Sequence, residues 1–302
     1  MSPADVTREG AGHDPDAGRT PTFHPAPGAC DAHFHVFGPA EHYPYGSELR
    51  YAPPYAPLDA YMALARTIGL QRFVFVQPSA YGLDNSCMLD AMRQVGTARC
   101  RGIVDVDETS VARATLTEWH RLGVRGIRVN VSPVRQAEPG LADAMRPRIR
   151  RLGALAQELG WHLDFLTPGW LISELMDELR ALPVDFTVAH MGLYPARYGV
   201  DQPGFQQFLE LLRSGPRRCW VKLTGVYRMS TAPGFADAAP MARALIAAAP
   251  DRIIWGSDYP HLSFHDKVGS IQLFNLLAEW APDDATRRRI LADNPAALFG
   301  FD

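Results

Sequence analysis

Short apolar or β-branched runs alternate with longer segments of helical periodicity from Ala29 to the C-terminus, and this alternation constrains the fold more than any other feature. Eight runs read as strands: CDAHFHVF (30–37), RFVFVQPS (72–79), RGIVDVD (101–107), GIRVNV (126–131), HLDFLTP (162–168), FTVAHMG (186–192), CWVKLTGV (219–226) and RIIWGSD (252–258). Between them, LDAYMALARTIG (58–69) places Leu58, Tyr61, Met62, Ala65 and Ile68 on one stripe and ends on Gly69, where a glycine is favoured. DNSCMLDAMRQVG (84–96) opens on the N-cap candidates Asp84 and Asn85. SVARATLTEWHRLG (110–123), a stretch ending in RIRRLGALAQELG (148–160), FADAAPMARALIAAAP (235–250) and PDDATRRRILADNPAALFGF (282–301) continue the pattern. Eight strand–helix units over roughly 270 residues have the size of an α/β protein of the (β/α)8 TIM-barrel type. An open doubly wound sheet is the alternative, but no glycine-rich nucleotide fingerprint follows any strand. One barrel domain over residues 29–302 with a closing C-terminal helix is therefore expected. Residues 1–28, rich in Gly, Pro, Asp and Thr, read as a disordered leader with little to bury.

Composition then excludes several classes of function. A net charge of -3 leaves no global basic field for nucleic acid. Four scattered cysteines (Cys30, Cys87, Cys100, Cys219) form no CxxC pair and read as reduced core thiols, without a structural zinc site. No apolar run reaches the roughly 18–20 residues of a membrane helix, and the N-terminus lacks the plan of a signal peptide. A cytoplasmic enzyme with a small-molecule partner is expected; whether it forms a homo-oligomer is left open.

In a barrel, chemistry collects where strands exit into loops. Strand one ends in Asp31-Ala32-His33-Phe34-His35, and the i, i+2 spacing puts both imidazoles on one face. Such a pair suits a metal or two donors aimed at one carbonyl oxygen. Alone, it is equally the mark of two polar residues on an exposed face. Strand six ends on His190, which by itself reads as a hydrogen-bonded core histidine. Strand eight ends on Asp258, whose carboxylate needs a partner or a function if buried.

Together these residues resemble the amidohydrolase superfamily: HxH on strand one, His on strand six and Asp on strand eight. GVRGIRVN (123–130), VKLTGVYR (221–228), WGSDYPH (255–261) and ILADNPAALFGF (290–301) are similar to its amidohydrolase-2 branch, which holds 2-pyrone-4,6-dicarboxylate lactonases, galactarolactone isomerases, sulfomuconolactone hydrolases and decarboxylases. HVFGPAEHYPY and the segments to Asn85 look most like the dicarboxylate lactonases. Binuclear relatives add a carboxylated lysine after strand four and a histidine after strand five. Here strand four ends Arg128-Val129-Asn130, and His162 opens strand five at the wrong end, so a two-metal site is not expected. His33, His35, His190 and Asp258 could hold one divalent ion, zinc or manganese. The resemblance favours the metal-free alternative.

Without metal, Asp258 would take a proton from the attacking water while His33, His35 and His190 stabilise the oxyanion. Arg128 ends strand four, Arg135 follows in the loop and Arg228 follows strand seven; their planar forks match carboxylates. Ser79, Tyr81 and Tyr51 would add neutral hydrogen bonds. Lys222, several residues before its strand exit, reads as structural. The expected activity is hydrolytic opening of a carboxylated lactone of the 2-pyrone-4,6-dicarboxylate type, in aromatic compound catabolism. The rivals are a sugar-lactone hydrolase or isomerase, a metal-dependent decarboxylase and a non-catalytic binding barrel.

Overall fold

A computed structural model describes residues 15–47, 49, 51–131 and 138–302. Eight parallel strands pair in chain order: β1 (Cys30–Phe34), β2 (Arg72–Val76), β3 (Cys100–Val104), β4 (Val124–Asn130), β5 (His162–Leu166), β6 (Phe186–Val188), β7 (Cys219–Leu223) and β8 (Ile253–Trp255). The barrel closes between β8 and β1 at their exits. Asp258 N–H donates to the His33 carbonyl and His35 N–H to the Tyr259 carbonyl, both at 2.8 Å. Gly256 makes the approach possible, because a Cβ there would lie 2.8 Å from His33 N. The eight-strand expectation holds, and the strand ends are shorter than the apolar runs implied.

Period-two alternation sorts side chains between the two faces. Leu163 and Phe165 of β5, and Ile127 and Val129 of β4, pack outward against the helical layer. Cys30, Ala32, Val74, Val76, Ile103, Trp220 and Ile254 fill the interior, and Phe299 and Phe301 plug its lower end. In β1 the alternation breaks: Ala32 faces the interior cluster but Phe34 faces the helices, and the register with β2 shifts between Asp31 and Phe34. That irregularity brings His33 and His35 to the barrel mouth. Trp255 and Phe75 are core packing, as expected.

Eleven helices are described: α1 (Leu58–Ile68), α2 (Ser86–Val95), α3 (Arg113–Arg121), α4 (Leu141–Leu159), α5 (Gly169–Glu174), α6 (Met176–Ala181), α7 (Pro203–Ser214), α8 (Ala239–Ala248), α9 (Ser270–Trp280), α10 (Asp284–Arg288) and α11 (Asn294–Phe299). The closing C-terminal helix is interrupted by a wider π turn over Arg289–Asp293. None of the described helices is long and apolar enough to cross a membrane.

One expectation needs correcting. The leader was read as having little to bury, yet its second half is fastened to α9. The Asp16 carboxylate accepts from the Ile271 and Gln272 N–H groups at 2.9 and 3.1 Å. These are free donors of a first helical turn, where a negative charge is favoured. Thr22 N–H donates to Asn275 at 2.8 Å, and Phe23 stacks on Phe274 with centroids 4.4 Å apart.

Candidate active site

Asp258 stands at the exit of β8 with 1% exposure and a positive φ of 58°, a backbone conformation that is costly for a residue with a side chain. Its two oxygens live in different surroundings. Oδ2 accepts from the Tyr227 hydroxyl at 2.5 Å and from Arg228 Nε at 3.0 Å. Oδ1 has no hydrogen-bond partner among the described residues. Facing Oδ1 are His33 Nε2 and His35 Nε2, each 3.6 Å away, while His190 Nε2 lies 3.9 Å from Oδ2. The four residues singled out in the sequence therefore meet at one point.

Local folding explains the convergence. His190 also has positive φ (52°), in the tight turn that follows β6. Its ring lies on Gly225, where a Cβ would come within 2.3 Å of Nδ1, so only glycine leaves room. Asp31 ties β1 to β8 from outside: Oδ1 accepts from His33 N–H and Ser257 N–H, each at 3.0 Å, and Oδ2 from the Tyr61 hydroxyl at 2.9 Å.

Burial and charge fix the protonation states. For Asp258 burial opposes ionisation, but the Arg228 guanidinium overrides it and holds the carboxyl well below the usual carboxylate range. Burial pushes His190 down to about 3 and holds His33 well below its ordinary value, with Lys222 adding to the effect. His35 is lowered for the same first reason. The site is thus one carboxylate ringed by three neutral imidazoles.

The residues expected to bind substrate fare unevenly. Arg128, on β4, is buried, donates to the Gln77 carbonyl and keeps an unsatisfied Nε–H. No carboxylate among the described residues lies within ion-pair distance of it. Arg228, expected to hold a substrate carboxylate, has its Nε on Asp258, and its terminal nitrogens make contacts no shorter than 3.5 Å among the described residues. Ser79 lines a cavity of about 360 Å³ at the exits of β2 to β4, with Asp105 and Asn130. The Tyr51 hydroxyl accepts from Ala80 N–H at 3.2 Å and lies 3.4 Å from Ser79 Oγ. Tyr81 does not join them: its ring is buried against Phe37 and Tyr45, and its hydroxyl accepts from Gly38 N–H. The apolar surroundings of its short turn outweigh its place beside Ser79. Arg135 lies outside the described residues.

Sequence reasoning passed over Tyr227, Asp31 and Asp164. A carboxylate at Asp164, alternating with apolar neighbours inside β5, was itself a signal that a buried cation stood nearby. That cation is Lys222, whose Nζ is 2.6 Å from Asp164 Oδ1.

Ligand-type atoms of His33, His35 and Asp258 lie within 4.8 Å of one another, so their spacing would admit one metal ion. The chemistry of the set does not match. Histidines that bind metals hand their other ring N–H to a carbonyl or carboxylate. His35 does so, to Val76 O at 2.8 Å, but the Nδ1 of His33 faces the Lys222 amine at 3.3 Å. Asp258 is already matched by the Arg228 guanidinium.

A (β/α)8 barrel with its polar machinery at the strand exits is the architecture of a barrel enzyme. The chain belongs to the amidohydrolase family, whose model it matches over residues 30–301. It is 37% identical to a 4-sulfomuconolactone hydrolase of Hydrogenophaga intermedia, over 91% of this chain and 89% of that protein. It is 32% identical to a 2-pyrone-4,6-dicarboxylate hydrolase of Comamonas testosteroni, over 92% of each. Among solved structures, an apo Agrobacterium tumefaciens protein superimposes with a TM-score of 0.80 at 25% identity, over 94% of this chain and 99% of that one. This chain is a hydrolase of that family, and its named relatives act on lactones.

Proposed function

We propose that this enzyme hydrolyses the ring ester of a small lactone bearing carboxylates, of the 2-pyrone-4,6-dicarboxylate kind, without a metal ion. The observation that carries the reading is the asymmetry of Asp258. Oδ2 is held by Tyr227 and Arg228, and Oδ1 has no hydrogen-bond partner among the described residues and faces the imidazoles. Oδ1 takes a proton from water as the water oxygen bonds to the lactone carbonyl carbon. Imidazole N–H groups of the site, foremost that of His33, hydrogen-bond the carbonyl oxygen as it gains negative charge. Collapse of the tetrahedral intermediate breaks the ring C–O bond, and the released oxygen recovers the proton from Asp258. Arg128 with its unsatisfied Nε–H, and the outer nitrogens of Arg228, supply forks for substrate carboxylates.

The test is hydrolysis of 2-pyrone-4,6-dicarboxylate by chelator-treated protein, followed by loss of the pyrone absorbance. Turnover should survive the chelator, and Asp258→Asn should lower kcat by about 10²- to 10⁴-fold, the usual contribution of a positioned base. Activity abolished by chelation and restored by zinc, or a fully active Asp258→Asn variant, would refute the reading.

A further inference from the structure

Lys222 lies mid-strand in β7 with 0% exposure, and the reaction above gives it no task. Its Nζ is 2.6 Å from Asp164 Oδ1 on β5 and 3.3 Å from His33 Nδ1 on β1. Thr187 on β6 donates its hydroxyl to the same Asp164 oxygen. Burying an ion pair costs desolvation energy that the attraction often only offsets, so stability is a weak explanation for it.

The directions of the hydrogen bonds say more. An ammonium has only protons to give. Held to Asp164, Lys222 therefore meets His33 Nδ1 as a donor, and that nitrogen must present its lone pair. A neutral imidazole has one N–H and one lone pair, so the proton of His33 sits on Nε2. His35 is set the opposite way. Its Nδ1 faces the Val76 carbonyl at 2.8 Å, an acceptor only, so Nδ1 carries the proton and Nε2 is bare. Both Nε2 atoms stand 3.6 Å from Asp258 Oδ1, one as a donor and one as an acceptor.

We propose that the Asp164–Lys222 pair is a positioning device that locks His33 as the Nε2–H tautomer, so that the two histidines of one HxH motif do opposite jobs. His33 donates to the substrate carbonyl oxygen. His35 Nε2 and Asp258 Oδ1 accept the two hydrogens of the attacking water. Two lone pairs facing each other across 3.6 Å call for such a shared donor, and one water oxygen reaches both acceptors at ordinary hydrogen-bond length. The inference rests on Asp258 acting as the base, but the tautomers can be measured without reference to activity.

The deciding measurement uses the intact chain with ¹⁵N-labelled histidine. Correlation spectra through the imidazole rings report which nitrogen carries hydrogen, and His33→Gln and His35→Gln variants assign the signals. His33 protonated on Nε2 and His35 on Nδ1 is the expected result; His33 protonated on Nδ1 overturns the proposal, whatever the substrate. Lys222→Met keeps the apolar stem and removes the donor. Its His33 signals should become a mixture of tautomers while those of His35 stay put. Its kcat should fall on the order of 100-fold, as for loss of one oxyanion donor, with KM little changed. A folded Lys222→Met protein with full kcat and an unmixed His33 also overturns the proposal. Should that variant not fold, the spectrum of the unsubstituted chain still decides. Failure to hydrolyse the pyrone would count against the proposed substrate and leave the tautomer result standing.

Discussion

Replacing Arg228 by Met should uncouple Asp258 from the cation that keeps it ionised, and the consequence depends on pH. In the native protein burial works against the Asp258 carboxylate, and Arg228 at 3.0 Å is the largest influence opposing it. Asp258 has 1% side-chain exposure and Arg228 has 17%. Breaking a buried pair costs about 3–5 kcal/mol, and the residual solvent contact of Arg228 favours the lower end, about 3 kcal/mol. At about 1.6 °C per kcal/mol for a chain of 302 residues, Tm should drop by about 5 °C near pH 8. A carboxyl with a depressed folded-state pKa stabilises the protein above its unfolded pKa, and that stability is lost as pH falls through the folded value. In the variant the folded pKa rises, so native and variant bind different numbers of protons between the two folded values. The Tm gap should therefore be widest at neutral and alkaline pH and narrow as the solution is acidified. The acid limb of the kcat profile should move to higher pH in the same variant. Thermal melts across a pH series test this directly. A gap that is constant with pH, or a variant as stable as the native protein at pH 8, would refute the account of Asp258.

Two further changes probe the frame around the site. Gly225→Ala places a Cβ 2.3 Å from His190 Nδ1 at a φ of 57°. It should cost about 1–3 kcal/mol in denaturant titration and about 10²-fold in kcat through displacement of the ring; unchanged activity would show that His190 has no positional role. Asp31 is raised from 3.8 to about 6, chiefly by burial, against hydrogen bonds from Ser257, His33 and Tyr61. A raised carboxyl binds protons more tightly when folded, so native stability should fall as pH climbs from about 4 to about 6. Asp31→Asn, which still accepts through its amide oxygen, should gain about 3 kcal/mol relative to the native protein over that interval. Parallel stability curves for the two proteins would contradict this.

The legible and the hidden parts of the site differ for a physical reason. Alternation of apolar runs with helical stripes is local, so eight strands and their order could be read from the chain. Residues at strand exits could be read too, because the barrel puts every exit at one end. What the sequence could not carry is which side chain meets which across strands far apart in the chain. Arg228 follows β7 and looked free for a substrate, but Asp258, 30 residues on, takes its Nε. Lys222 looked like a structural residue, but its partners lie 58 residues back on β5 and at the other edge of the unrolled sheet on β1. Tyr81 shares a short turn with Ser79, and two residues along it the side chain points into the core instead. The leader looked unburied because its composition is polar, whereas Asp16 on the helix N-terminus, Thr22 on Asn275 and Phe23 on Phe274 dock its second half.

The same cross-strand contacts bear on the substrate. A carboxylate clamped by a guanidinium and a phenol is a weak base, and general-base catalysis weakens as the base is acidified. Such a base suits an ester whose carbonyl is already made electrophilic by a good leaving oxygen, because it gives the attacking water little push. In a pyrone the leaving oxygen is an enolate, stabilised by conjugation; in a sugar lactone it is an alkoxide that must be protonated as it leaves. This difference between the leaving oxygens supports the proposed enol lactone over an aldonolactone. Binding would sharpen the preference: a substrate carboxylate on the outer nitrogens of Arg228 would share its charge and return basicity to Asp258 Oδ1 as the water is deprotonated. On the proposed mechanism a ligand without that carboxylate would leave Asp258 fully clamped, and the charge that recognises the substrate would also set the strength of the base that opens it.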